Sequence, residues 1–235
     1  MCIRDSYTVD AGHWQVELDF VHFTADREDG ARTEALNLFP VNLKFGLNRA
    51  TDLQLMFDSH VREQTRVEGA SETARGWGDI TLRLKVNLWG NDDDAANRTA
   101  FAVMPWLKLP ARGGEIGNDR VEGGLILPYA AALPGGWGLG LMTEFDVIAD
   151  DAPEGVHFEW VNSITFSRDL TARLGGYVEF YAVISAENQV PWTGQLDAGV
   201  TYAMSANVQL DAGCNIGVTR SAPDLQPFLG LSVRY

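Results

Sequence analysis

Apolar and polar residues alternate one by one along most of this chain, and that period of two constrains the fold more than any other feature. Trp14, Val16, Leu18 and Phe20 share one parity against Gln15, Glu17 and Asp19. Ile80, Leu82, Leu84, Val86 and Leu88 stand in the same way against Thr81, Arg83, Lys85 and Asn87. Further runs of this kind lie at 39–45, 53–60, 101–109, 139–147, 158–166, 173–181, 195–202 and 208–216. A strand sends successive side chains to opposite faces, so each run is a strand whose two faces meet different surroundings. With the segment 123–133 and the C-terminal run, the pattern predicts about twelve strands of about ten residues, the length that crosses a bilayer at a tilt.

The last run, PFLGLSVRY (Pro227 to Tyr235), keeps the alternation to the final residue. Chain ends ordinarily fray. A strand ordered to its last residue needs a partner, and a closed barrel supplies one by pairing its last strand with its first. The connections point the same way. Short ones (LNRATD, PGGW, SRDLT, MSAN) interleave with long polar ones (TADREDGART, REQTRVEGASETARG, PARGGEIGNDR, ADDAPEG, SAENQVP, TRSAPDLQ), GNDDDAANR being the one long member of the short class. Short turns at one end and long loops at the other belong to an up-and-down transmembrane barrel. Trp14, Phe45, Trp137, Phe166, Tyr202 and Tyr235 all fall at the short-turn end on the apolar parity, where amphipathic rings meet lipid headgroups. The expected fold is therefore all-β, a closed up-and-down antiparallel transmembrane β-barrel of about 12 strands. A soluble lipocalin-like barrel is the alternative, and it would scatter those rings.

Composition excludes other classes. A net charge of −14 leaves no basic face for nucleic acid. Two cysteines, Cys2 and Cys214, make neither a disulfide framework nor a metal-ligand spacing. The uncharged stretch Gly123–Met142 is long enough for a membrane helix, yet it holds six glycines and two prolines, with Pro134-Gly135-Gly136 at its centre. That triplet predicts a tight turn between two strands. The opening MCIRDS resembles translated sequencing-adapter sequence. Residues 1–11 are accordingly expected to be a truncated or artefactual segment that has lost a signal peptide, and 12–235 a single barrel in the bacterial outer membrane.

Several segments resemble an outer-membrane family connected with the meta-pathway of phenol degradation and also described as transporters. FPVNLKFGLNRATDLQLMF is similar to its strand–turn–strand, GWGDITLRLKVNLW to its Gly-Asp strand with an inner lysine, and MPWLKLPARGG to its proline-flanked strand. The likeness extends from about Gly12 onward. It implies a barrel of about this strand number that moves small molecules, aromatic compounds among them, and it supplies no catalytic residues. The terminal aromatic Tyr235 matches the signal, here Leu229–Tyr235, by which the barrel-assembly machinery recognises its clients.

On the inner parity, basic residues sit mainly on early strands (Lys44, Arg83, Lys85, Lys108) and acidic ones mainly on later strands (Glu144, Asp146, Glu159, Glu179, Asp197, Asp211) and the first (Glu17, Asp19). Facing each other across a lumen, the groups would set up a transverse field that selects a solute. Alternatively they neutralise one another and fill a narrow interior, leaving a structural or interaction barrel. Asp58 and His60, two apart on one strand, are the one candidate for acid–base chemistry at a rim, without an accompanying serine motif. GWGLG lacks the Lys-Ser/Thr of a phosphate loop, and Asp92-Asp93-Asp94, in the longest turn, reads as a solvated turn ahead of the alternative, a cation site. The expected partners are outer-membrane lipid, a small solute and the assembly machinery, with no cofactor.

Overall fold

The structure is a computed structural model. It describes all residues except 1–5, 29, 92–97, 111–114, 118–119 and 151–154, so the Asp92-Asp93-Asp94 run and Cys2 lie outside the described residues. The described chain is all-β: β1 (Trp14–Glu28), β2 (Ala31–Asn48), β3 (Thr51–Val67), β4 (Ala70–Gly76), β5 (Ile80–Trp89), β6 (Thr99–Leu109), β7 (Glu122–Leu133), β8 (Trp137–Ala149), β9 (Val156–Asp169), β10 (Leu174–Ser185), β11 (Thr193–Ala203), β12 (Val208–Gly217) and β13 (Leu225–Arg234). Each pairs antiparallel with its chain neighbour, except that β5 pairs with β3, and β13 returns to β1. The wall is thus a closed barrel of twelve strands with β4 as an extra one.

Closure answers the question posed by the C-terminal run. Gln15 lies opposite Arg234 and Leu18 opposite Leu231. Beyond them the Trp14 amide donates to the Tyr235 carbonyl at 3.2 Å, and the Tyr235 amide donates to that of Trp14 at 2.8 Å. The last residue is held by the first strand, so the C-terminal strand has a partner on each side. Pro134-Gly135-Gly136 forms the turn between β7 and β8, as its residues predict, and no helix of the described residues is long and apolar enough to cross a membrane.

Two polar segments read as loops are strand instead. TADREDGART carries β1 and β2 onward to Glu28 and Ala31, and REQTRVEGASETARG is the upper half of a hairpin between β3 and β4. Its turn, Glu68-Gly69, takes φ of 41° and 88°, the left-handed pair that matches the twist of a tight hairpin. Both faces of these extensions meet water, so apolar alternation is missing. Cross-strand polar pairs such as Thr33 Oγ1 with Thr65 Oγ1 (3.2 Å) stand in its place. Between β4 and β5 the wall strand is interrupted at 77–79, where the Gly78 amide still reaches the Asp58 carbonyl at 2.9 Å.

At the same height the inner parity changes. Phe39 adopts φ of 56°, and the β1–β13 register slips between Asp19 and Val21. Below this dislocation Asn42 and Lys44 face inward, both buried; above it Asn37 does, donating to Asp58 Oδ1 at 2.7 Å. A single left-handed residue moves the inner face from even to odd positions.

The two faces of the wall are inverted relative to a water-soluble protein. Apolar residues such as Leu84, Leu125, Leu141, Val200 and Leu229 are exposed on the outside, while the buried set is largely polar: Gln15, Lys44, Asp52, Gln54, Lys85 and Glu144 among others. An oily outside and a polar inside is the arrangement a bilayer requires. Trp14 and Phe45 meet with ring centroids 4.5 Å apart at the short-turn end, and the Arg168 guanidinium lies 5.4 Å from the Trp137 ring. Phe166, Tyr202 and Tyr235 are exposed on the same parity. A second belt, absent from the sequence reading, stands toward the long-loop end. There Phe145 and Trp160 are register partners, and Phe158 and Trp192 are also exposed. Trp160 anchors its indole by donating to Thr143 Oγ1 at 2.8 Å.

Candidate functional site

The polar inner wall is the candidate site, and its charges are arranged differently from two groups facing across a lumen. On β1 and β2, Lys44 Nζ lies 2.7 Å from Glu17 Oε1. Gln15 Nε2 (2.6 Å) and Asn42 Nδ2 (3.1 Å) donate to the same carboxylate. Lys108 on β6 pairs with Glu122 on β7. Asp146 accepts a bond of 3.0 Å from the Trp106 indole. Arg83 and Lys85 are buried on β5, in register with Gln54 and Asp52. Neighbouring strands therefore neutralise much of the basic side locally. Expected result: Lys44→Met leaves the Glu17 carboxylate buried without its ammonium partner, and destabilises the barrel by about 3–5 kcal/mol in a urea titration. Adding Glu17→Gln restores most of that loss.

The wall from β10 round to β1 is different, because there acids meet acids. Glu179 and Asp197 are direct register partners, with Thr165 Oγ1 donating to Glu179. Asp19 on β1 and Asp211 on β12 both lie opposite Gly230 of β13. A Cβ at Gly230 would stand 2.5 Å from Asp19 Oδ1 and 2.9 Å from Asp211 Oδ2, so both carboxylates close over a position that only glycine leaves empty. Like charges directly opposite each other destabilise a sheet. Both pairs stand on the lumen side of the wall.

Opposite in chemistry is an apolar inner patch that sequence reasoning missed. Met104, Ile126, Glu144, Val161 and Val183 form one row across β6 to β10 by successive register pairs. Met104, Ile126, Met142 and Val161 are a buried cluster, and Trp106 and Tyr181 pack against it. Glu144, buried, stands in this row with Ile126 and Val161 as its register partners. Parity placed Met104 and Trp106 inside. What the sequence concealed is that non-adjacent residues of five strands meet there. Tyr177 and Phe228 also turn inward, each with its ring over a glycine of a neighbouring strand, Gly199 and Gly213 respectively.

Asp58 and His60 do not share a face. Asn37 points at Asp58, so the next residue, Leu38, and its register partner His60 point away, and His60 is exposed. The parity change at Phe39 is the cause. Glu159, the remaining predicted lumen residue, stands at the long-loop end beside His157.

At the short-turn end the described residues 6–11 lie across the mouth. Asn87 Nδ2 donates to the Ser6 carbonyl at 2.7 Å and Lys85 Nζ to that of Tyr7 at 2.8 Å. The Val9 amide donates to Asp52 Oδ2 at 3.1 Å, and the Thr8 amide to Asn91 Oδ1 at 3.0 Å. Ser6 is buried, which places it inside the wall.

A closed antiparallel wall with an apolar belt outside, charged residues inside and aromatic rings at both rims defines an outer-membrane β-barrel. The family model described as "Putative MetA-pathway of phenol degradation" matches residues 4–235, and the chain belongs to that family. No curated protein sequence matches the chain. Among solved structures, it is similar to an outer membrane channel from Pseudomonas putida F1, with a TM-score of 0.74, 12% identity and 98% of each chain covered. The NanC porin follows, with a TM-score of 0.57 and 8% identity over 94% of this chain and 98% of that one. The translocator domain of autotransporter NalP from Neisseria meningitidis gives a TM-score of 0.57 and 10% identity over 97% and 90%.

Proposed function

We propose that this barrel is a passive, cation-preferring channel of the bacterial outer membrane for small molecules, aromatic compounds among them. The observation that carries the reading is the acid-on-acid wall: Glu179 against Asp197, and Asp19 with Asp211 over Gly230. Holding like charges together costs stability, and a field acting on a passing solute is the use that offsets it. The apolar patch around Met104 and Ile126 with Trp106 and Tyr181 offers the other half of an amphipathic path. Lys108 and Glu159 keep accessible side chains and would meet the solute, while the buried Arg83, Lys85, Glu144 and Asp146 would shape the field behind them. Similarity in fold to a channel and a porin supports the reading, and the family's connection with phenol degradation supports aromatic cargo. Leu229–Tyr235 serves as the assembly signal. The separation of Asp58 from His60 speaks against a rim enzyme.

A second reading is a non-conducting barrel whose lumen is filled by its own groups. Residues 6–11 against Asp52, Lys85 and Asn87 favour it. Planar-bilayer recording of the refolded protein across a salt gradient separates the two. A channel gives discrete steps and a cation-preferring reversal potential, which Glu179→Gln with Asp197→Asn moves toward zero. Aromatic solutes then shorten the open events. A correctly folded barrel that stays silent overturns the channel and leaves the filled lumen.

A further inference from the structure

At the long-loop end three separate strand ends bring nitrogen and oxygen donors together. His157 is the second residue of β9 and lies in register with Ile148 of β8; Asp150 follows the end of β8; Glu187 follows β10. The backbone there is fastened. The Asp150 amide donates to the Gly155 carbonyl at 3.1 Å, and Arg120 Nη2 donates to the carbonyls of Asp150, at 2.8 Å, and Gly155. Only the side chains remain to be accounted for.

We propose that Asp150, His157 and Glu187 form a zinc site at the mouth of the barrel. His157 Nδ1 stands 2.6 Å from Asp150 Oδ1 and 3.7 Å from Glu187 Oε2, and the three donor atoms lie within 4.8 Å of one another. The other ring nitrogen faces away from this group, toward Glu159 Oε1 at 3.5 Å. That division of the imidazole is what a metal ligand needs. One nitrogen meets the cation, while a carboxylate accepts the proton of the other and fixes tautomer and ring plane.

The donor set selects the ion. One imidazole with two carboxylates suits zinc, whereas calcium takes about six to eight oxygens and magnesium binds mainly through carboxylates and water. Zinc holds nitrogen and oxygen ligands at about 2.0–2.2 Å, which in a tetrahedron puts donors roughly 3.3–3.6 Å apart. Asp150 and His157 would separate by about an ångström as the proton between them is replaced by the metal. Glu187 already stands at nearly the required distance, on the most exposed of the three side chains, at 43%. A fourth position is left for water. The ion would tie the β8–β9 connection to the segment after β10, across the rim of the lumen.

The test is isothermal titration of the metal-stripped, refolded barrel with Zn2+, repeated with Co2+ and read by visible absorbance. The expected result is one equivalent per chain and a tetrahedral cobalt band. His157→Ala abolishes both, and Asp150→Asn and Glu187→Gln each weaken binding at least about tenfold. Glu159→Gln, a positioning change, weakens it by roughly 10–100-fold and shifts the cobalt band without removing it. Glu63→Gln, remote on β3, leaves the isotherm unchanged. Heat-modifiable gel migration verifies that each variant is folded; if His157→Ala is not, the two carboxylate variants decide. No saturable uptake by the parent protein, or an unaltered isotherm in a folded His157→Ala or in both carboxylate variants, overturns the site. Equal losses from Glu63→Gln and Glu187→Gln do so too, since they would indicate diffuse binding to the acidic surface.

Discussion

Deletion of Pro227–Tyr235 leaves no folded barrel. The segment supplies most of β13, which pairs with β12 on one side and β1 on the other. Its loss would open the wall along two full strands inside a bilayer, where each unmet backbone group costs several kcal/mol. No rearrangement within the chain recovers those bonds, because β12 and β1 are spaced by the whole width of the missing strand. On a semi-native gel the truncated chain should run as one band before and after boiling, whereas the parent shows a faster folded band. Tyr235→Ala is far milder. It keeps the exchange of backbone bonds with Trp14 and removes only an interfacial ring, so it should slow assembly while leaving the final fold intact.

Removal of residues 1–11 should enlarge the unit conductance by about twofold or more, the effect expected when a segment is cleared from a pore mouth. The backbone of 6–9 occupies the inner groups Asp52, Lys85, Asn87 and Asn91. Freed, those side chains meet water and passing ions instead. Single-channel recording of parent and shortened proteins in the same lipid and salt makes the comparison. Equal step sizes would place the narrowest point higher, at the row of Met104, Ile126 and Val161, and Met104→Ala would then be the change that widens it.

The strand pattern was legible because each wall strand has one face in lipid and one in the lumen, so alternation marks it directly. The turn at Pro134-Gly135-Gly136, the short-turn aromatic belt and the held C-terminus followed from local chemistry. Where both faces meet water, as at 24–28, 31–33 and 62–76, the same rule has nothing to read, and strands passed for loops. Parity also fails across a dislocation. The left-handed Phe39 turns Leu38 and His60 outward, and no spacing in the sequence announces it.

The candidate site divides along the same line. That Glu179, Asp197, Arg83 and Lys85 face inward could be read from period two alone. Which charges meet could not, because register joins residues far apart in the chain. Lys44 finds Glu17, Asp19 and Asp211 close over Gly230, and His157 gathers Asp150, Glu159 and Glu187. By itself the sequence determined a barrel, its oily and polar faces and its closure, since these depend on residue order along single strands. The tertiary structure alone decided the electrostatics of the lumen and the cluster at its mouth, since these depend on distances between strands.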